Sequence, residues 1–170
     1  NKQDFEGTIE DVKVELAADA IESFIKNGHK TLVYCPYVSH TTGILDATRD
    51  SWRRIPPGTC WVYHGRLDSE MKKTATREFK ENKAGALICT KAFGMGVDIS
   101  GIDRVYHFAP TGGLSDYVQE IGRAGRNKGM QAVAAIDYFS KDVRYARTLA
   151  FLSGLTLRQL REIMGKLYEL

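Results

Sequence analysis

The chain contains no Cys-x-x-Cys pair, no phosphate loop of the form G-x-x-x-x-G-K-[ST], no Asp-Glu-x-His box and no apolar run of membrane-spanning length. Each absence removes a class of function. Three cysteines, Cys35, Cys60 and Cys89, are too few and too widely spaced for a zinc site, and their odd number does not suit a disulfide framework. They read as reduced thiols in or beside strands, as expected of a cytoplasmic or nuclear protein. Lys30-Thr31 follows His29 rather than glycine, so the usual cradle for nucleotide phosphates is missing. Without the acidic box there is no magnesium site either, and no metal ligand is expected in this chain. Gly94-Met95-Gly96 is only part of a G-x-G-x-x-G fingerprint, which removes a dinucleotide-binding oxidoreductase. No signal peptide, internal repeat or low-complexity stretch is visible, and no membrane partner is expected. The sequence opens Asn1-Lys2-Gln3 without methionine, which reads as a piece of something longer.

What remains suits one folded domain. The 170 residues are 43% hydrophobic and 26% charged, enough apolar material for a sizeable core. The net charge of +3 permits a nucleic-acid partner without requiring one. Short apolar runs at 31–35, 59–63, 85–90, 104–108 and 131–136 predict five strands. Helical spacing predicts helices over 8–27, 38–54, 68–82, 114–125, 140–152 and 156–170. In the first, Thr8 is the expected cap, and Ile9, Val12, Leu16, Ala20, Ile21, Phe24 and Ile25 are the expected buried face. In the third, Met71, Ala75 and Phe79 should point inward. Strands alternating with helices call for an α/β fold, a mostly parallel sheet covered on both faces. Residues 1–155 form the expected domain, and 156–170 a tail helix leading onward, with Leu160, Ile163, Met164 and Leu167 in one stripe.

In such sheets ligands bind beyond the carboxyl ends of the strands. The chemically notable residues fall there: Pro36, His64 to Arg66, Thr90 to Asp98 and Ala109 to Gly113. Thr90 can offer a hydroxyl and a backbone N–H to a phosphate, or cap the turn that follows. Gly94 and Gly96 let the backbone turn and a ligand approach. Asp98 is a free carboxylate past that loop, or an Asx-turn residue. Arg66 is a phosphate contact or a solvated loop arginine. In Gln119-Glu120-Ile121-Gly122-Arg123-Ala124-Gly125-Arg126, a helix through Gly125 would send Arg123 and Arg126 from one face. Two planar cations flanked by glycines suit a phosphate anion, and the alternative is a solvated basic helix end.

Together the strings Lys91-Ala92-Phe93-Gly94-Met95-Gly96-Val97-Asp98 and Gln119 to Arg126, following the strand that ends at Thr90, resemble the second RecA-like domain of superfamily 2 helicases, closest to the RecQ branch. The resemblance runs from about Thr31 to Phe139. His64-Gly65-Arg66-Leu67 departs from the His-Ala-Gly-Leu usual in RecQ proteins and is nearer the His-Gly-x-Leu of DEAD-box relatives. The resemblance implies an open RecA-like sheet. It also implies that Arg123 and Arg126 reach ATP and its magnesium held by a separate N-terminal RecA-like domain, with Gln119 bonding at that interface. Asp98 would bond the nucleotide ribose or hold the arginines, beside Gly96. Thr90, Pro36 and Arg66 would touch single-stranded nucleic acid, with DNA the expected strand. A protein-binding RecA-like module that has lost ATP coupling is the rival, and the intact Gln119, Arg123 and Arg126 speak against it.

Overall fold

The computed structural model describes residues 8–46, 53–94 and 98–153. Five strands form one sheet in the order β2-β3-β1-β4-β5: β1 Lys30–Tyr34, β2 Cys60–Tyr63, β3 Gly85–Cys89, β4 Arg104–His107 and β5 Val133–Ile136. Every pairing is parallel. The helices are α1 Ile9–Lys26, α2 Val38–Ile44, α3 Ser69–Glu81, α4 Leu114–Ile121 and α5 Val143–Ser153, the last entered through a 3-10 turn at Ser140–Asp142. This is the parallel α/β sheet that the alternation of runs implied, in the open RecA-like form that the resemblance implied.

The central strands carry apolar residues on both faces, as a doubly covered parallel sheet requires. On one face Val33, Ile88 and Tyr106 meet Val14, Ala17, Ala18 and Ile21 of α1, Ile44 of α2 and Tyr145 of α5. On the other, Leu32, Leu87 and Val105 meet Ala75 and Phe79 of α3, with Phe93, Ile99 and Ile102 from the loop after β3. The edge strand β5 leaves Val133 and Ile136 exposed.

Several expectations about which residues face inward are corrected. In α1 the buried row is Lys13, Val14, Ala17, Ala18 and Ile21, while Ile9 and Leu16 are exposed. A buried lysine turns the helix: Lys13 forms an ion pair with Asp142, both side chains being nearly inaccessible, and lies over the Phe108 ring at 4.8 Å. Thr8 caps α1 as expected, in a reciprocal box with Asp11. In α3, Asp68 caps the start and Ala75 and Phe79 are buried, but Met71, in the first turn, is exposed. The helix expected over 38–54 stops at Ile44, with Leu45 as its cap, and 53–54 are helical again. Residues 47–52, Gly96 and the tail helix at 156–170 lie outside the described residues.

Candidate nucleotide-facing edge

The carboxyl ends of β1, β3 and β4 stand side by side, with Tyr34 in register with both Cys89 and His107. The loops that leave them carry Pro36, Thr90 to Gly94, and Ala109 to Gly113. Helix α4 starts at Gly113 and runs back over this edge, tied down at its first turn by a Lys91–Asp116 ion pair of 2.7 Å. Two neighbouring clefts result. One, of about 270 Å³, is lined by Pro36, His107, Pro110, Gly112, Glu120 and Leu149, among others. The other, of about 370 Å³, is lined by Gly94, Gln119 and Arg123 and shares Tyr34, Lys91, Asp116 and Glu120 with the first.

The arginines do not sit on the helix as their spacing suggested. Helix α4 stops at Ile121, and Gly122 is its cap, placed where an added Cβ would lie 3.0 Å from the Val118 carbonyl oxygen. The chain then turns away. Gly125 takes φ +69°, a left-handed conformation that favours glycine, and its N–H donates to Ile102 O at 2.9 Å. Both glycines thus serve the chain's own turn, Gly125 also packing against Ala132.

Arg123 and Arg126 consequently differ. The Arg123 guanidinium donates to the Gly94 carbonyl and lies 6.0 Å from the Phe93 ring centre. Burial raises the pKa of the nearby Tyr34 phenol, against the pull of the Arg123 charge. A Cβ at Gly94 would stand 3.2 Å from Lys91 O, tighter than usual, and 3.5 Å from the guanidinium. Arg126 is more open. Its Nη1 donates to Asp98 Oδ1 at 2.6 Å and its Nε to Gly122 O at 3.2 Å. Among the described residues its Nη2 has no hydrogen-bond partner. Both arginines line a narrow gap over Phe93, Ile99 and Ile102, with the Arg123 head anchored inward and the Arg126 head more exposed.

The other candidate residues divide. Asp98 meets Arg126, and Gln119 shares a cleft with Arg123. Pro36 lines the adjoining cleft. The Thr90 hydroxyl accepts a long bond from the Ala92 N–H, 3.4 Å, the geometry of a turn cap, with the side chain still half-exposed. Arg66 is exposed in the turn before α3 and lines neither cleft. Beside it His64 is buried, and burial followed by the charges of Arg66 and Lys72 lowers its pKa. Among the described residues no three His, Cys, Asp or Glu side chains converge as a metal site.

Sequence reasoning missed the floor between the clefts. His107 Nε2 and Glu120 Oε2 are 2.8 Å apart and both residues are buried. The His107 ring stacks on Tyr34, with ring centres 5.5 Å apart and planes within 19°. A signal existed, for Tyr117, Glu120 and Ile121 follow the i, i+3, i+4 spacing of an inward stripe, which puts a carboxylate where an apolar residue would be expected.

The family model described as "Helicase conserved C-terminal domain" matches residues 12–128. "ATP-dependent DNA helicase Q-like 5" of Arabidopsis thaliana is 32% identical over 124 residues, covering 73% of this chain and 13% of that protein. "ATP-dependent RNA helicase MSS116, mitochondrial" of Lodderomyces elongisporus is 30% identical over 99 residues, covering 58% of this chain and 14% of the relative. The chain thus spans a small part of these relatives. Among solved structures, "Mss116p DEAD-box helicase domain 2 bound to an RNA duplex" superposes with a TM-score of 0.66 at 19% identity, covering 87% of this chain and 58% of that one. At that identity the likeness speaks for the fold.

Proposed function

The chain belongs to the helicase conserved C-terminal domain family, and on that premise we propose that it is the C-terminal motor half of an ATP-dependent, RecQ-like helicase. Its substrate is single-stranded nucleic acid, with DNA favoured by the Q-type relatives and RNA represented among the others. The observation that carries the reading is the pair of arginines at the strand-end edge, one anchored inward and one half-open with an uncommitted donor.

A planar guanidinium presented over an apolar floor is suited to phosphate oxygens. The chain has neither a phosphate loop nor a described metal cluster, so ATP and magnesium would be held by an N-terminal RecA-like domain. ATP supplies a phosphoryl group whose transfer to water is the driving reaction. What this chain's residues do is bounded by their geometry. Arg126 exchanges Asp98 for phosphate oxygens and stabilises charge that develops on them. Asp98 holds Arg126 in place until then, and Gln119 hydrogen-bonds across the domain interface from the cleft it shares with Gly94. Thr90, Pro36 and Arg66 touch the backbone of the strand.

Two preparations test this reading. The complete protein should hydrolyse ATP on addition of single-stranded DNA, and the 170-residue chain alone should not. Nucleic-acid-stimulated hydrolysis by the isolated chain, surviving further purification, would overturn the half-site reading. Stimulation by RNA and not DNA would reassign the substrate.

A further inference from the structure

We propose that His107 and Glu120 are positioning residues that set the arginine-bearing turn, with Tyr34 as the link between them and Arg123. The proposal rests on the reading above and adds to it a buried device that no family motif or relative's name assigns.

The four residues form a closed circuit. Glu120 lies in the last turn of α4, and its backbone carbonyl accepts the Arg123 N–H at 3.2 Å. Its side chain reaches down to His107 Nε2, at the end of β4. His107 stacks on Tyr34, at the end of β1. The Tyr34 phenol donates to Phe93 O at 3.4 Å. Arg123 then donates to Gly94 O, which closes the ring one residue from Phe93. Two strand ends, the loop after β3 and the exit of α4 are thereby tied through polar contacts in a buried place.

Burial gives the circuit its force. The His107 side chain is 1% exposed and that of Glu120 is 11% exposed. A hydrogen-bonded ionisable pair at such depth is costly to break one partner at a time, because the survivor is left unsatisfied. An apolar contact here would tolerate sliding of α4, whereas a directional bond between Nε2 and a carboxylate does not. Glu120 stands between Gln119 and Arg123 in the last turn of α4, so the pair fixes the angle at which α4 hands the chain to the arginine-bearing turn. A displacement of about 1 Å of a group that meets the transition state can cost on the order of 100-fold in rate.

The test is steady-state ATPase kinetics of the complete protein, comparing Glu120→Ala, Glu120→Gln and Tyr34→Phe with Arg126→Ala, each at a temperature well below its own unfolding midpoint. Glu120→Ala should lower kcat by tenfold to about 100-fold with KM for ATP within about twofold, the pattern of a misplaced transition-state group. Glu120→Gln keeps an acceptor for His107 and should recover most of the rate. Tyr34→Phe keeps the stack, cuts the phenol's bond and should show the same kcat-selective loss in smaller measure. Equal kcat for Glu120→Ala and parent, with only a lowered midpoint, would overturn the proposal by making the pair structural. If Arg126→Ala also has parent kcat, the arginine reading itself fails. If Arg126→Ala is inactive and Glu120→Ala is not, only the positioning role is lost.

Discussion

Asp98 and Arg126, 28 positions apart in the chain, meet as an ion pair of 2.6 Å in which the carboxylate is 85% exposed and the arginine 42%. Such a pair contributes about 0–1 kcal/mol in water. It can therefore orient Arg126 and still yield it to a stronger anion.

The two arginines should separate experimentally. Arg126→Ala should leave stability within about 1 kcal/mol of the parent, because what it loses is an exposed ion pair and one exposed bond to Gly122 O. In the complete protein it should lower kcat by about 10³-fold, the scale of a missing arginine finger. Arg123→Ala should lower kcat and also the unfolding midpoint, since its guanidinium holds Gly94 O and lies against the Phe93 ring. Denaturation curves and ATPase rates on the same preparations check both. Parent rates in both variants would reduce the segment to a basic turn.

Lys13 and Asp142 make a second, internal test. Both side chains are almost wholly buried, so Lys13→Met alone should cost about 3–5 kcal/mol by leaving Asp142 unpaired. Lys13→Met combined with Asp142→Leu should recover much of that loss. Urea unfolding of the parent, both single variants and the double variant gives the coupling. A single variant within 1 kcal/mol of the parent, on the scale of a solvated pair, would show that the pair is not buried in solution.

Stability should fall on the acid side. Burial holds the His64 pKa below its usual 6.5, so the unfolded chain takes up a proton there first. The folded state is then penalised as pH drops below about 6.5 and through the lowered folded value. Glu10 acts in the same direction at lower pH: its hydrogen bond from His40, then those from Tyr145 and the nearby charges, hold its pKa below 4.5 against desolvation. Its contribution is present above 4.5 and is lost as pH falls through its folded value. Thermal midpoints from pH 7.5 to 4 should decline, and His64→Gln should flatten the first part of that decline. A midpoint independent of pH across that window would contradict the assignment.

Nucleic-acid binding by this chain alone should be weak, with a shallow dependence on salt. The net charge is only +3, and few phosphates are engaged when a strand lies on one half of its track. Titration of a labelled single strand at several salt concentrations measures the slope. Tight and salt-insensitive binding would point to base recognition instead.

The strands were legible because a parallel sheet covered on both faces writes itself as short apolar runs, and 85–89 and 31–34 are buried throughout. The functional edge was legible for the same reason, since it follows from where those runs end. The faces of helices were less so. Lys13 reads as a solvent residue until Asp142 is placed beside it, and no local pattern links positions 129 apart. The exit of α4 was misjudged because a helix tolerates glycine in sequence, whereas Gly122 and Gly125 here bend the chain out of it. The His107–Glu120 floor went unseen because one partner ends a strand and the other lies on a helix 13 positions later, a contact no local pattern encodes.

The Lys13–Asp142 contact also sets an order of events during synthesis. An ammonium in the first helix has no buried partner until residue 142 has left the ribosome, and Phe108 beneath it arrives nearly as late. A nascent chain stopped at β3 would hold α1 with a hydrated lysine where the finished domain needs a dry one, and its packing face would stay unsealed. The domain should therefore become protease-resistant in one late step, and truncations before Asp142 should never acquire that resistance.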